Sequence, residues 1–533
     1  MINTIFRGAH SLVKILQQAN VEKIFSLSGN HIMSIYDALQ ETNIQLYHVR
    51  HEAAAVHMAE AYARISGKVG VALVTGGPGH ANAVGALYTA RQNETPLLLL
   101  SGHAPVSQLG HGAFQEMDQA AIAAPLTKAS WMVESPAHLA PDLARAFRLA
   151  QDGRPGPVHL SLPSDCLEQA AQAPADMADF VPRPSMLAAD IYATLCMHLA
   201  RAARPIIILP PALCTEPGLA LCAPLIRHGI PCIPMVSPRG LNDPALGNVR
   251  ALFAQADLIV LIGKALDFTL DFGRIGAADW IIIDPDETML QRAHLSLGNR
   301  LILSARADAG ALLQQLGTYA ATPTPDQAAW LAHTNAMIGF RAPLSPDGGG
   351  LNSASMCAHL ARYMQTLHDP IFICDGGEIG QWAQSLIQTP ARLINGVAGA
   401  IGAAIPFALG AKAAAPHRPV MAVMGDGTFG FHMAEFETAL RHNLPFVAII
   451  GNDSRWNAEY QIQKRAYGAS RALGCTLLPG TRYDAAVAAL GCYGALVTTA
   501  ADIAPALDRA FASQKPACVN ILIEGLPAPR IGS

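Results

Sequence analysis

Two aspartates stand where apolar runs of the sequence give way to loops that contain glycine. Asp426 lies between Gly425 and Gly427, directly after the run PVMAVM, and Asp453 ends the stretch PFVAIIGND. Because the carboxyl ends of parallel strands meet at one edge of a sheet, we expect the two carboxylates to lie close together. Carboxylate oxygens are the ligands that Mg²⁺ and other hard cations prefer. The pair therefore predicts a divalent-cation site.

The run from Gly425 to Gly430 also satisfies the dinucleotide fingerprint G-x-G-x-x-G. That fingerprint requires an acidic residue about 20 positions further on, which binds a ribose. Glu435 comes too early for this role, and an aspartate inside the turn would repel a bare pyrophosphate. Mg²⁺ turns the repulsion into attraction, because it binds carboxylate and phosphate oxygens together. The sequence therefore favours a metal-bridged diphosphate over NAD.

The composition excludes several classes of protein. Hydrophobic residues make up 51% and charged residues 14% of the 533 residues, which suits large cores and subunit interfaces. The 36 basic and 40 acidic residues nearly cancel, so nothing favours nucleic acid as a partner. We expect no membrane association, because no apolar run reaches the roughly 18 residues that span a bilayer and the N-terminus lacks a signal-peptide core. Ten cysteines occur singly, without a CxxC pair, which is typical of a soluble cytoplasmic protein.

The elements that must position these residues are strands and helices in alternation, which predicts α/β domains built on parallel sheets. The Pro- and Ala-rich stretch Ala171–Pro184 and the stretch Ser345–Gly350 interrupt the alternation and predict linkers. We therefore predict three doubly wound parallel-sheet domains, over residues 1–175, 185–320 and 345–533. The runs that predict strands are KIFSLSG, IQLYHVR, GVALVTGG, PLLLLSG, PVHLSLP, PIIILP, LIVLIG, WIIIDPD, IFICDGG, VMAVMGDG, FVAIIGND and CVNILIEG.

Other strand ends carry polar or glycine-rich loops as well. They lie at Ser28–His31, Arg50–Glu52 and Gly76–Gly79 in the first domain and at Asp375–Gly377 in the third. The corresponding loops of the middle domain are weaker candidates. Because ligands bind at the carboxyl ends of parallel strands, we expect the two outer domains to carry the ligand and the middle domain to be mainly structural.

Four motifs together resemble one family. They are Arg50–Ala55, Gly77–Val84, Ala113–Asp118, and the run from Gly425-Asp426-Gly427 through Gly451–Asp453. In this order and spacing, the chain resembles thiamine-diphosphate-dependent enzymes of the acetolactate synthase, benzaldehyde lyase and oxalyl-CoA decarboxylase group, over essentially its whole length. The resemblance implies a pyrimidine-binding domain first, a middle domain, and a domain that binds diphosphate and Mg²⁺ last.

The resemblance also implies the cofactor's neighbours. Mg²⁺ is expected on Asp426, Asp453 and the backbone carbonyl of Arg455, with Asn452 as the alternative to Asp453. An aspartate at position 453 strengthens Mg²⁺ binding while it opposes the diphosphate. The residues implied to surround thiamine diphosphate are Gly77, Pro78, Asn82, Gly376, Gly377, Gly399, Ile401, Gly425, Gly427 and Thr428.

Glu52 follows a predicted strand at the start of a predicted helix. One interpretation is an acid that the helix dipole stabilises. The resemblance implies instead that Glu52 is catalytic and gives a proton to N1′ of the aminopyrimidine. Ile401 is then expected to hold the two rings of the cofactor bent toward each other, with an ordinary core position as its alternative. The same resemblance places the active site between two chains, in a homodimer or homotetramer.

The substrate pocket is implied at Gly29, Asn30, Trp456 and Asn457, with His31 and Gln115 as further catalytic residues. His31 has an alternative role at the start of the helix IMSIYDAL, and Trp456 has an alternative role in plain packing. His103 and His111 are expected to be exposed loop residues. A histidine that changes charge near neutral pH suits a proton carrier.

The substrate itself stays open between two hypotheses. Gly263–Gly273 lacks the arginine with which acetolactate synthases meet a second 2-keto acid, and little chain follows the last predicted strand to cover a CoA group. We expect a carbon–carbon lyase or carboligase for 2-keto acids, or for 2-hydroxy ketones and aldehydes. The alternatives are a 2-hydroxyacyl-CoA lyase or oxalyl-CoA-type decarboxylase, and a non-catalytic cofactor-binding subunit. Whether the middle domain holds FAD or ADP stays open.

Overall fold

The computed structural model describes residues 6–175, 180–341 and 350–529. Within these residues the chain forms three sheets whose strand pairs are all parallel, with helices packed against them. This confirms the predicted α/β class with three parallel-sheet domains. The predicted boundary at residue 345 and parts of both predicted linkers lie outside the described residues. The exact domain limits therefore stay a prediction.

The first sheet has six strands: β1 (Lys23–Ser26), β2 (Gln45–His48), β3 (Gly70–Val74), β4 (Leu97–His103), β5 (Ala129–Met132) and β6 (Pro157–Pro163). Their order across the sheet is β2-β1-β3-β4-β6-β5. The central strands β3, β4 and β6 are buried along their whole length, because helices cover both faces of the sheet. The helices are α1 (Gly8–Gln18), α2 (Met33–Leu39), α3 (Glu52–Ser66), α4 (Pro78–Gln92), α5 (Gln119–Ala123), α6 (Leu139–Gln151) and α7 (Ser164–Glu168).

The middle sheet has five strands: β7 (Pro205–Leu209), β8 (Cys232–Pro234), β9 (Leu258–Ile262), β10 (Asp279–Ile283) and β11 (Leu301–Ala305). Their order is β11-β10-β9-β7-β8, and the Ile-rich strands β7 and β9 lie side by side in its centre. The helices are α8 (Ala189–Arg201), α9 (Glu216–Ala220), α10 (Ala223–Arg227), α11 (Val249–Gln255), α12 (Glu287–Leu297), α13 (Ala309–Leu316) and α14 (Pro325–Gly339).

The third sheet has six strands: β12 (Ile371–Cys374), β13 (Ala391–Ile394), β14 (Val420–Gly425), β15 (Val447–Asn452), β16 (Tyr493–Val497) and β17 (Ala517–Leu522). Their order is β13-β12-β14-β15-β17-β16, so β14 and β15 are neighbours at its centre. The helices are α15 (Ser353–Met364), α16 (Gly377–Leu386), α17 (Ala404–Ala414), α18 (Asp426–Phe429), α19 (Glu435–Arg441), α20 (Asn457–Tyr467), α21 (Tyr483–Ala489) and α22 (Ile503–Ala512).

The chain forms two compact units. The first unit contains the first sheet together with Ile405–Pro416 and His432–Leu444. In this unit α17 packs on α3, and Glu435 of α19 accepts the N–H of Arg50 shortly before α3 begins. The second unit contains the middle and third sheets, including the loops that carry Asp426 and Asp453. In the described part of the chain, no helix combines the length and the apolar character that crossing a membrane requires.

Candidate active site

Asp426 and Asp453 lie at the carboxyl ends of two neighbouring strands. Gly425, the last residue of β14, pairs with Gly451 of β15, and each aspartate follows the last residue of its strand. The Asp426 side chain is buried, and neither of its carboxylate oxygens has a hydrogen-bond partner among the described residues. Burying an ionised carboxylate without a partner is costly unless a cation binds it. The strand pairing therefore brings together two acids, one of which has unused oxygen ligands.

The electrostatics of this pair fit a metal ion. Burial raises the pKa of Asp426 to about 7, and the carboxylate of Asp453 adds to the rise. The nearby N–H groups of Gly427 and Ser454 offset part of it without forming hydrogen bonds of normal geometry. Burial likewise raises the pKa of Asp453 to about 6. A divalent cation removes both penalties. In the described residues no three acidic, histidine or cysteine side chains are placed so that they could hold a metal ion together, so other oxygens must complete its coordination.

Asn452, the alternative ligand, is engaged elsewhere. Its amide nitrogen donates to Oδ1 of Asn520 at 3.1 Å, and its amide oxygen accepts from the Ser454 N–H at 3.2 Å. Asp453 Oδ1 accepts from the N–H of Arg455 at 3.1 Å. Ser454, between Asp453 and Arg455, has a positive φ of 56°, which is uncommon outside glycine. These contacts favour Asp453 over Asn452 as the metal ligand.

Gly525 was not identified from the sequence, yet it determines where Asp453 lies. A Cβ on Gly525 would lie 2.0 Å from Oδ2 of Asp453 and 2.9 Å from Nδ2 of Asn457. Only a residue without a side chain fits between the end of the last strand and the aspartate. The signal available in the sequence was the glycine that follows the run CVNILIE.

The variant Gly525→Ala is expected to weaken Mg²⁺ binding by about tenfold or more, because the new methyl group displaces the Asp453 carboxylate. The measurement is the Mg²⁺ dependence of thiamine diphosphate binding, followed by tryptophan fluorescence. Gly310→Ala is the matched control, since a Cβ at Gly310 meets no atom within 4 Å. Equal Mg²⁺ dependence in the two variants would show that Asp453 is not held by this contact.

Trp456 packs on the glycine-rich turn. A Cβ on Gly427 would lie 2.7 Å from the Trp456 ring, and the ring meets Phe431 edge-on with 6.4 Å between centroids. Phe431 is exposed, so the two rings form an aromatic wall beside the turn. Asn457 is buried, and its amide nitrogen donates to the Leu526 carbonyl at 2.9 Å. These contacts give Asn457 a structural role in fixing the segment after the last strand.

Asp375 organises a second loop of the same unit. Its carboxylate accepts from the N–H of Gly402 at 3.0 Å and from Nδ2 of Asn395 at 2.9 Å. These bonds fix the segment that contains Ile401, whose Cγ2 lies 3.0 Å from the position of a Cβ on Gly376. Ile401 is 38% exposed. An exposed isoleucine held against a glycine is not a core residue, so its position suits contact with a bound ligand.

Several predicted phosphate donors are already engaged within the protein. The N–H of Gly376 donates to Oδ1 of Asp375 at 2.7 Å, and the Thr428 hydroxyl donates to the Gly425 carbonyl at 3.1 Å. Gly377, which begins α16, has a positive φ of 80° that favours glycine. Phosphate binding at Gly376 or Thr428 therefore requires these internal bonds to be exchanged.

Glu52, in the first unit, is the first residue of α3. His51 caps this helix by accepting the N–H of Ala53 at 3.1 Å. The Glu52 side chain is buried, and its Oε2 accepts from Nδ2 of Asn82 at 3.0 Å. A Cβ on Gly79 would lie 3.4 Å from Oε1, so the carboxylate packs beside the start of α4. This position differs from that of an acid that faces water at a helix start, and it suits a carboxyl group that acts on a bound ligand.

The backbone before Glu52 is fixed by Glu435 of α19. The buried carboxylate of Glu435 accepts from the N–H of Arg50 at 3.0 and 3.2 Å and from the Thr438 hydroxyl at 2.6 Å. Burial raises the pKa of Glu435, while these hydrogen bonds and the N–H of His51 lower it. Glu435 is therefore a positioning residue for the strand end that presents Glu52. From its place in the sequence, Glu435 is a candidate only for a ribose ligand, and it comes too early for that role.

Replacing Glu435 with glutamine is expected to lower turnover about tenfold while cofactor affinity changes by less than about twofold, because the strand end loses its anionic anchor. Turnover and a thiamine diphosphate titration on the same samples separate the two effects. Glu41→Gln is the control, since Glu41 is an exposed acid of the same unit. The positioning role is contradicted if Glu435→Gln turns over at the wild-type rate.

His31 lies in a short turn between β1 and α2. Its side chain is buried, with Nδ1 3.3 Å from the Thr75 hydroxyl. Burial lowers the pKa of His31, and His103 lowers it further, so the ring is neutral at neutral pH. A Cβ on Gly29 would lie 2.4 Å from Thr75, which explains the glycine, and Asn30 is exposed. No side chain of the described residues caps α2, so His31 does not serve as its cap.

Gln115 lies against the loop that precedes α4. It has a positive φ of 59°, and its Cβ lies 2.7 Å from the position of a Cβ on Gly77. Gly77 has a positive φ of 60°. Pro78 occupies the first position of α4, where a backbone N–H has no partner within the helix, so the lack of an N–H in proline costs nothing. The contact explains why position 77 excludes a side chain.

The expectation of an exposed His103 is wrong. β4 continues beyond its apolar run and ends at His103, which is buried, with Nε2 2.9 Å from the Met117 carbonyl. The apolar run alone did not show that the sheet extends through this polar residue. His111 is exposed, as predicted.

Comparison with known proteins gives the chain its family. Residues 6–122 match the model described as Thiamine pyrophosphate enzyme, N-terminal TPP binding domain, and residues 375–521 match Thiamine pyrophosphate enzyme, C-terminal TPP binding domain. The chain is 32% identical to a probable acetolactate synthase of Mycobacterium bovis, over 96% of this chain and 95% of that protein. The chain belongs to the thiamine pyrophosphate enzyme family.

Two further relatives carry another name. The chain is 31% identical to 2-hydroxyacyl-CoA lyase 2 of Homo sapiens, over 93% of this chain and 86% of that protein. It is 28% identical to 2-hydroxyacyl-CoA lyase 2 of Caenorhabditis elegans, over 97% of this chain and 89% of that protein. These relatives confirm the predicted thiamine-diphosphate-dependent enzyme of the lyase or carboligase type. The two matched regions contain Glu52 and Asp426, respectively.

Proposed function

We propose that this enzyme breaks or forms carbon–carbon bonds of 2-keto acids, or of 2-hydroxy ketones and aldehydes, with thiamine diphosphate and Mg²⁺. The observation that carries the proposal is the pair Asp426 and Asp453, in which a buried carboxylate without a hydrogen-bond partner lies beside a second one. That arrangement suits a cation that also binds phosphate oxygens. The relative named probable acetolactate synthase supports the carboligase side of the proposal.

Each residue then has a role at the site. When bound, thiamine diphosphate supplies a thiazolium ring that accepts the electron pair of the cleaved bond. Asp426, Asp453 and the backbone carbonyl of Arg455 would hold Mg²⁺, and Ile401 would contact the cofactor rings. Glu52 would face N1′ of the pyrimidine and move a proton there, as a general acid or base does.

The substrate side of the site is proposed at two places. In the first unit, His31 and Gln115 carry protons or donate hydrogen bonds to the reacting oxygen, beside Gly29 and Asn30. In the second unit, the wall formed by Trp456 and Phe431 would border the substrate beside the turn that carries Asp426.

We propose that the enzyme assembles as a homodimer or homotetramer, with Glu52 of one subunit acting at the Asp426 and Ile401 of another. We also propose a cytoplasmic location, which the ten free cysteine thiols support.

A second candidate function is that of a 2-hydroxyacyl-CoA lyase, which the human and nematode relatives support. A non-catalytic subunit is disfavoured, because cofactor binding alone does not require the buried pair of Glu52 and Asn82. We do not include FAD or ADP in the proposal. In the middle domain, Lys264 is the cation of the Gly263–Gly273 segment, and it is already engaged within the protein, since it is buried and donates to Thr269 at 2.8 Å.

The test is a substrate panel on the enzyme loaded with thiamine diphosphate and Mg²⁺. Pyruvate, acetoin, benzoin, benzaldehyde and a 2-hydroxyacyl-CoA are incubated separately, and products are identified by mass spectrometry. Conversion of pyruvate, acetoin or benzoin is expected. Conversion of the CoA thioester alone would replace the proposal with the second candidate, and failure to bind thiamine diphosphate would overturn both.

A further inference from the structure

Gln115 lies in a sharply turning loop of the first unit, here named the Gln115 loop (residues 110–118), between β4 and α5. Gly110, Gly112 and Gln115 have positive φ angles of 80°, 74° and 59°. Glycine adopts such angles readily, whereas a glutamine does so at a cost in free energy. Within the described residues, no hydrogen bond engages the side-chain amide of Gln115. The loop therefore presents a free amide on a backbone conformation that its neighbours must stabilise.

Glu116 stabilises the start of the Gln115 loop. Its Oε1 accepts from the N–H of Gly110 at 2.6 Å, and its Oε2 accepts from the N–H of Ala113 at 2.9 Å. Its own N–H donates to the Ala113 carbonyl at 3.0 Å. The N–H groups of Gly110 and Ala113 lower the pKa of Glu116, so the carboxylate is ionised at neutral pH and both bonds are charge-assisted. One carboxylate thus ties the start of the loop to the residue that follows Gln115.

The end of the Gln115 loop is fixed by other contacts. The Met117 carbonyl accepts from the N–H of Gln119 at 2.8 Å, and Nε2 of His103 lies 2.9 Å from the same oxygen. Gln119 in turn accepts the N–H of Gly77 through its Oε1 at 2.8 Å. A substitution at Glu116 is therefore expected to loosen the start of the loop without detaching its end from β4 or α4.

The Gln115 loop lies beside the other proposed substrate residues of the first unit. The rings of Phe114 and His31 are 6.1 Å apart between centroids, and the Gln115 Cβ lies 2.7 Å from the position of a Cβ on Gly77. A shift of the loop therefore moves the Gln115 amide relative to His31. Displacing a group that orients a substrate by about one ångström is enough to slow a reaction strongly.

We propose that Glu116 is a positioning residue, whose carboxylate holds the Gln115 amide toward the reacting oxygen of the substrate. This inference rests on the proposed function, in which Gln115 donates a hydrogen bond to that oxygen. Because both oxygens of Glu116 are occupied by backbone N–H groups of the loop, its effect reaches the substrate through Gln115.

The test is a double-mutant cycle on turnover with Glu116→Gln and Gln115→Ala. A glutamine at position 116 keeps the side-chain length, but its NH₂ group meets an N–H donor, so one of the two bonds is lost. We expect kcat to fall about tenfold in Glu116→Gln and about 100-fold in Gln115→Ala. In the double variant kcat is expected to lie within about twofold of that of Gln115→Ala, because residues that act as one unit are not additive. The substrate is pyruvate or, if the wild type leaves pyruvate unchanged, the panel substrate that it converts.

Three further measurements separate positioning from a general loss of structure. In Glu116→Gln, the Kd of thiamine diphosphate is expected to stay within about twofold of wild type and the melting temperature within about 2 °C. Amide hydrogen exchange, read by mass spectrometry, is expected to rise in the Gln115 loop and to stay unchanged in β4. Glu134→Gln is the matched control, since Glu134 is an exposed acid of the same unit.

Gly110→Ala is a second variant that perturbs the same bond without changing Glu116. A Cβ at Gly110 meets no atom within 4 Å, but the φ of 80° disfavours alanine. We expect kcat to fall as in Glu116→Gln, with no further effect when Gly110→Ala is combined with Gln115→Ala. If Glu116→Gln does not fold, the cycle with Gly110→Ala decides.

Equal kcat in the wild type and in either Glu116→Gln or Gln115→Ala overturns the inference and leaves the proposed function intact. A double variant whose kcat falls by the product of the two single effects also overturns it, because Glu116 then acts without Gln115. A large loss of thiamine diphosphate affinity in Glu116→Gln overturns it as well, since the carboxylate then serves the cofactor or the fold. If the wild type binds no thiamine diphosphate or converts no substrate of the panel, the inference and the proposed function fail together.

Discussion

Replacing Glu52 with glutamine is expected to lower turnover by about 10²- to 10⁴-fold, the usual contribution of a general acid or base. Glutamine keeps the shape of the side chain and a hydrogen bond with Asn82, but it has no proton to give to a ring nitrogen. Thiamine diphosphate is therefore expected to bind with nearly unchanged affinity. Steady-state turnover and a cofactor titration on the same protein separate the two quantities.

Glu287→Gln is the matched control for this variant. Glu287 is the first residue of α12, as Glu52 is the first residue of α3, and it is exposed. Both variants lose an acid that stabilises the first turn of a helix. If both lose the same activity, the loss in Glu52→Gln comes from the helix and not from catalysis by Glu52. Wild-type turnover in Glu52→Gln would remove Glu52 from the mechanism.

Replacing Asp426 with asparagine is expected to weaken the binding of Mg²⁺ and thiamine diphosphate by about a hundredfold or more, because the buried anionic ligand is lost. The metal-free protein is expected to respond in the opposite direction and to gain thermal stability. Burial raises the pKa of Asp426 to about 7, so ionising this group opposes folding when no cation is present.

The sign of the pH dependence follows from that raised pKa. The folded-state pKa of Asp426 exceeds its ordinary value, so the cost of ionisation is absent below about pH 4, grows up to about pH 7, and is constant above it. The melting temperature of Asp426→Asn in EDTA should therefore exceed that of wild type by more at pH 8 than at pH 5. Asp190→Asn, an exposed acid in the first turn of α8, is the control. A wild-type protein that melts higher than Asp426→Asn at pH 8 in EDTA would contradict the electrostatic account.

The strands that the sequence predicted and the strands that it missed differ in burial. Those predicted include every interior strand of the three sheets, where both faces are covered and apolar residues run continuously. Those missed are β5, β8, β11, β13 and β16, and each lies at the edge of its sheet. Edge strands have one strand neighbour and are partly exposed, so their sequences mix apolar and polar residues. Among edge strands only β2, within IQLYHVR, was predicted.

The site shows a similar division. Acids and glycines at strand ends, such as Glu52 and Asp426, are visible in the sequence because the carboxyl end of a parallel strand is a known place for ligands. Glu435 and Gly525 act on residues distant in the chain: Glu435 anchors the Arg50 N–H, and Gly525 leaves room for Asp453. No local pattern marks a contact of that kind. Such roles follow only from the fold.

The membership of α17 and α19 in the first unit limits how the chain can be divided. Gly410 of α17 packs so closely on α3 that a Cβ would lie 2.2 Å from the Met58 carbonyl oxygen, and Phe407 meets the His57 ring edge-on. A truncated gene product that stops at Arg183 would therefore uncover this apolar surface and tend to aggregate during expression. A stable recombinant fragment of the first unit needs both helices to be included.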